Sequence, residues 1–199
     1  MGAPGPALEQ YRLNLPGTDD GTPATPGPAV LPGTLAIAPY VTRGIYDDPG
    51  IVFRINDVQL RAYPSKEWAI PLRDMLGEAT ETMLRRSALT AEPAVFDPRS
   101  QRSQTYVWRG TVREFEEVDQ GNRVLVAVNL EAQIVVAAND SVVWSGSHRV
   151  EQAVADPTTS MQRVVEGLSA ATADVLSTLI QRARAELGGR PASAARPPD

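Results

Sequence analysis

Cysteine is absent from this chain, and histidine occurs once, as His148. Without thiols there is no disulfide, no thiolate nucleophile and no zinc–thiolate site. A Ser-His-Asp triad or an imidazole metal centre could be built only through His148. No run of about 18 apolar residues occurs, so no segment reads as a membrane-crossing helix. Basic residues number 19 against 24 acidic ones, and they are not gathered into a stripe that could neutralise phosphates, which argues against nucleic acid as a partner.

What is present can fill a core. Of the 199 residues 42% are hydrophobic, enough for one domain and too many for a disordered chain. Residues 1–8 read as an N-terminal tether, 9–187 as the domain and 188–199, ending RPASAARPPD, as a disordered tail. The start, Met1-Gly-Ala-Pro-Gly-Pro, looks like a cut end.

Along the domain, Glu9–Leu15 alternates Tyr11, Leu13 and Leu15 with polar residues, the period of a half-buried strand. Pro16–Gly33, with five prolines and four glycines, reads as an extended loop. Thr34–Pro39 fits a short strand. Ile51, Phe53 and Ile55, then Val58, Leu60 and Ala62, alternate about an Asn56-Asp57 turn and predict a hairpin. A first helix is expected to begin near Glu67–Ala69 with Pro71 in its first turn, because Trp68, Leu72, Met75, Leu76, Ala79, Met83 and Leu84 form an apolar stripe. Pro93–Arg99 reads as irregular.

Thr105–Ser147 carries the strongest β signal. Tyr106, Trp108, Gly110 and Val112 share a face, and seven alternate positions from Val124 to Val136 do the same, followed by Val142 and Trp144. This predicts a three-stranded antiparallel meander. A second helix, capped by Asp156-Pro-Thr-Thr-Ser, runs to about Leu187 with a stripe from Met161 to Ala183. The expected fold is α+β, a mostly antiparallel sheet with two long helices packed on one face.

Candidate chemistry is thin. His148 could act as a base, but a lone imidazole beside a strand does not make a convergent site. Asp47-Asp48 could invite a cation, yet the following Pro-Gly marks an ordinary turn. Glu114, Glu116 and Glu117 could suggest a glycosidase carboxylate pair, and are read instead as a solvated hairpin tip. The chain is expected not to be an enzyme, with no catalytic residue, cofactor or metal. The features that core packing does not demand are Tyr40, Ile45 and Tyr46 in a loop and Trp68 beside it, and these four are the expected partner-binding residues.

The order Pro39-Tyr40-Val41, Ile51-Val52-Phe53-Arg54 and Trp68-Ala69-Ile70-Pro71-Leu72 resembles the ABC-type transport auxiliary lipoproteins, the PqiC-like accessory components of MCE-type lipid transport systems. The likeness extends more weakly over Glu9–Leu187. It implies a non-catalytic lipoprotein, periplasmic and anchored to the outer membrane, that assists movement of lipids or other hydrophobic molecules by contact with an MCE-family protein, and that forms a homo-oligomer. Such proteins begin at a lipidated cysteine that this chain lacks, and the proline-rich start would stand as its tether. Two other classes stay open: an envelope scaffold or regulator lipoprotein tied to no transporter, and a hydrolase using His148.

Overall fold

A computed structural model describes residues 7–16, 28–56, 58–96, 104–121, 123–154 and 160–189. The expected tail from residue 190 onward and the start of the tether lie outside them.

Among the described residues eight strands form a single sheet. The meander appears as read: β6 (Tyr106–Asp119), β7 (Val124–Val136) and β8 (Val142–Ala153) pair antiparallel, with Trp108 opposite Ile134 and Ile134 opposite Trp144. Seating β7 one residue out of register would put Asn129, Glu131 and Gln133 into the core, so the alternating pattern holds its register. The hairpin is also present, as β3 (Gly50–Asn56) and β4 (Gln59–Trp68).

The other edge of β6 is shared. Near its start it pairs with β2 (Leu31–Ile37), and near its end with β3, both in parallel. The intervening chain stays alongside: Ala38 N–H donates to Trp108 O at 3.0 Å, Val41 N–H to Gly110 O at 2.8 Å, and Val112 N–H to Val41 O at 2.9 Å. One strand of 14 residues therefore organises everything from Leu31 to Asn56.

Several expectations are corrected. The stretch Glu67–Trp68 does not open a helix. It stays in β4, because β1 (Glu9–Tyr11) pairs with it in parallel and Trp68 N–H donates to Pro49 O at 2.8 Å. The helix α1 spans Leu72–Arg85 with Pro71 at its N-cap position. Pro93 is no break either: β5 (Thr90–Val95) runs parallel to β2 as an edge strand, where a missing N–H can face away from the ladder. The strand expected over Glu9–Leu15 ends at Tyr11; Leu13 and Leu15 are buried, and Asn14 N–H donates to Ser169 Oγ at 3.1 Å.

The long helix α2 (Met161–Gly188, 28 residues) lies over β6, β7 and β8, and α1 packs beside it and against β2 and β5. Both cover the same side, so the expected α+β architecture holds: a mostly antiparallel sheet with two helices on one face. Val164, Leu168, Ala171, Val175, Leu179 and Ala183 bury the stripe of α2 against Val126, Val128, Leu130 and Ile134. At about 1.5–3 kcal/mol for each large apolar side chain buried, this interface dominates the stability.

Candidate functional site

The structure divides the four expected partner-binding residues into a buried pair, Tyr40 and Trp68, and a half-buried pair, Ile45 and Tyr46. Extended backbone along β6 alternates its side chains, so Tyr40 turns into the core and Val41 out to solvent. Three hydrogen bonds run through the buried Tyr40 hydroxyl. Trp108 Nε1–H donates to it at 3.2 Å, it donates to Thr80 Oγ1 at 2.7 Å, and Thr80 donates to Leu76 O at 2.7 Å. Burial pushes the Tyr40 hydroxyl up to about 12, against the smaller opposing effect of its hydrogen bonds.

Trp68 meets Phe115 edge-on with ring centroids 5.8 Å apart. With exposures of 2% and 5%, Tyr40 and Trp68 have no surface to offer a partner, which corrects their expected role. Tyr40 lies over Gly110 and bonds Thr80 of α1, and Trp68 packs on Phe115 of β6, so both belong to the core. Ile45 and Tyr46 lie on a short 3-10 turn, Gly44–Asp47, and are half-buried. Asp47 accepts a hydrogen bond from Thr42 Oγ1 at 2.5 Å, as a turn residue does.

The glutamates are the larger correction. A bulge between Val112 and Glu114 shifts the register of β6 by one residue, so Phe115 and Glu117, not Glu114 and Glu116, follow Val112 on the helix-facing side. Glu116 and Glu117 are only 2% and 7% exposed, whereas a solvated tip was expected. Tyr46 Oη donates to Glu116 Oε2, and Arg54 Nε lies 2.9 Å from Glu116 Oε1. Tyr63 Oη donates to Glu117 Oε2 at 3.0 Å, while its ring stacks on Phe53 at 4.4 Å.

Burial raises the pKa of both carboxyls, with the tyrosine hydrogen bonds and, for Glu116, the Arg54 charge pulling the other way. The phenols of Tyr46 and Tyr63 are raised too, first by burial and then by the carboxylates they face. Neighbouring residues of a strand point to opposite faces, so these two carboxylates cannot converge on one substrate. They fasten the β3–β4 hairpin to β6, one from each side of the sheet.

On the open side, Arg149 binds Glu114 at 2.6 Å and Glu151 at 2.7 Å, and Arg113 binds Glu131 at 2.7 Å. His148 points to the other side, half-buried in β8 opposite Leu130. Among the described residues no group of three or more His, Asp and Glu side chains is placed to hold a metal.

Two surfaces remain that sequence reasoning missed. The first is the outer edge of β8, which pairs only with β7 among the described strands. The second is the β3–β4 tip, where Ile55, Val58 and Leu60 are 38%, 91% and 41% exposed. The alternation that revealed the hairpin is the same signal that hid its tip, since an apolar residue at an alternate position is read as core.

The chain is similar to the crystal structure of protein XCC0632 from Xanthomonas campestris, at 21% identity and a TM-score of 0.70, over 87% of this chain and 93% of that one. A second crystal structure, of an uncharacterised protein, aligns at 15% identity and a TM-score of 0.64, over 89% and 99%. The PelC dodecamer from Paraburkholderia phytofirmans aligns at 17% identity and a TM-score of 0.45, over 78% and 94%. No curated protein matches the chain. No described helix is long and apolar enough to cross a membrane. Residues 11–179 match the family described as the ABC-type transport auxiliary lipoprotein component, and the chain belongs to that family.

Proposed function

We propose that this chain assists an MCE-type ABC transport system in moving lipids or other hydrophobic molecules across the bacterial envelope, by binding protein partners rather than by chemistry. In this reading it sits in the periplasm on a lipid anchor in the outer membrane, contacts an MCE-family protein, and assembles with copies of itself. Family membership supports the transport role. The observation that carries the contact mode is the outer edge of β8, a strand that pairs only with β7 among the described strands.

A strand edge of this kind presents a row of backbone donors and acceptors that another strand can complete. Its side chains limit which strand fits. Ser145, Ser147, Arg149 and Glu151 are polar and face the open side, while Gln152 Nε2 donates to Gly167 O at 2.9 Å and Arg182 to Ser147 O at 3.3 Å, tying the edge to α2.

The test is co-purification from membranes, with mass measurement of captured proteins and extracted lipid, alongside cross-linking through Ser147→Cys. An MCE protein in the captured fraction and a Ser147→Cys cross-linked dimer are expected. A monomer at high concentration with no captured partner overturns the reading. His148→Ala should leave transport unchanged, and loss of transport with an intact fold would return the hydrolase alternative.

A further inference from the structure

We infer that the β3–β4 hairpin tip, through Ile55, Val58 and Leu60, rests in the headgroup layer of the bilayer that holds the lipid anchor. This rests on the family's N-terminal lipidation, and goes beyond the transport reading to say how the domain is oriented on its membrane.

The tip is apolar and held stiff. Asn56 Oδ1 accepts from Val58 N–H at 3.1 Å and from Gln59 N–H at 3.0 Å, which closes the turn. Behind it, the ion pair of Arg54 with Glu116, the hydrogen bond of Tyr63 with Glu117 and the Phe53–Tyr63 stack brace the two strands against β6. Large apolar side chains held in solvent by such bracing have a use outside the fold.

Chain direction identifies the occupant. Strand β1 runs parallel to β4, with Glu9 opposite Lys66 and Tyr11 opposite Trp68. The chain before Glu9 therefore heads along β4 toward the tip, and Leu8, the next residue back, is exposed. From Lys66 back to Gln59 is roughly 23 Å of strand at about 3.3 Å per residue. A lipid attached on that side brings the bilayer to the tip. The β7–β8 turn, with the exposed Val142, is at the other end of the sheet. Asn56 and Gln59 are polar, so the contact is with headgroups and not with the hydrocarbon.

The absence of cysteine makes the experiment clean. Val58→Cys and Val142→Cys are each labelled with an environment-sensitive dye in the full chain, which is tethered by an N-terminal His tag to nickel-chelating phosphatidylcholine vesicles. Expected is a blue shift and a several-fold protection from an aqueous quencher at position 58, with position 142 unchanged. Val58→Asp in a Leu60→Cys-labelled chain should abolish the protection while leaving the circular dichroism spectrum intact. Equal signals at 58 and 142, or no protection at 58, overturn the inference. Protection at 58 that appears without vesicles and grows with protein concentration also overturns it, assigning the tip to a second copy.

Discussion

The ring of Tyr40 lies so close over Gly110 that a Cβ at that glycine would come within 2.1 Å of the tyrosine Cε1. The glycine belongs to β6 and the tyrosine to the extended segment bonded along it, so a missing side chain in one strand is what admits the aromatic of the next. Gly110→Ala should lower stability by about 1–3 kcal/mol or more, since both groups are held by backbone bonds and neither can retreat. Tyr40→Phe should cost about 1–3 kcal/mol by leaving the Trp108 indole N–H unpaired in the core. Urea unfolding followed by tryptophan fluorescence checks both; a Gly110→Ala protein as stable as the parent would refute the packing account.

Stability should rise as pH is lowered from 8 toward 5. Glu116 and Glu117 have folded-state pKa values raised above the ordinary 4.5, so the folded protein holds their protons more tightly than the unfolded chain. Their contribution is fully present below about 4.5 and is lost as pH rises through the raised values. The exposed Glu9, Glu131 and Glu166 are lowered by their ion pairs and hydrogen bonds, so their small contribution is lost only below 4.5. Tm measured across this range should peak on the acidic side of neutrality, and Glu117→Gln should flatten the slope. A Tm that falls steadily from pH 8 to 5 in the unsubstituted protein would contradict this.

Two arginines on the open side should behave differently. Arg149 is partly exposed and serves two carboxylates, and Arg149→Met should change stability by less than about 1 kcal/mol, with the difference shrinking in high salt. Arg54 faces the buried Glu116, and Arg54→Met should cost about 3 kcal/mol by leaving that carboxylate uncompensated. Adding Glu116→Gln to Arg54→Met should recover most of the loss. Denaturant midpoints at low and high salt separate the two cases.

The strap formed by Leu13, Asn14 and Leu15 should be worth more than its position near the chain end suggests. Both leucines join the core, and Arg12 reaches Glu78 of α1 at 2.7 Å while Asn14 bonds Ser169 of α2. Leu13→Ala and Leu15→Ala should each destabilise by about 2 kcal/mol. Faster amide exchange in α1 and α2 on the Leu13→Ala change would show that the strap holds the helices together; unchanged exchange would show that it only lies on them.

The meander and the second helix were legible because their signals are local and repeated. Seven alternate apolar positions in β7 admit one register, and the three-and-four spacing of α2 admits one buried face. The family was also legible, from the order of Pro39, Ile51–Arg54 and Trp68–Leu72. Parallel pairing leaves no such local trace: the end of β5 from Pro93 was read as irregular and the end of β4 at Glu67–Trp68 as the start of a helix, because the parallel partners β2 and β1 are distant in sequence.

The contact residues depended most on what periodicity cannot express. From the chain alone, Tyr40 was an aromatic in a loop and Trp68 one beside it at a helix start, and Glu116 and Glu117 were charges at a tip. A one-residue bulge at Val112/Glu114 turned Glu117 toward the helices, Tyr46 and Arg54 covered Glu116 on the other side, Gly110 admitted the ring of Tyr40, and β1 and Phe115 enclosed Trp68. The apolar face of each helix and the register of β7 follow from the amino-acid sequence itself, since side-chain direction repeats along a regular backbone. Which of the remaining large residues reach solvent was decided only in three dimensions, by β6 pairing with β2 and β3 along one edge, because burial there depends on neighbours that no local pattern names.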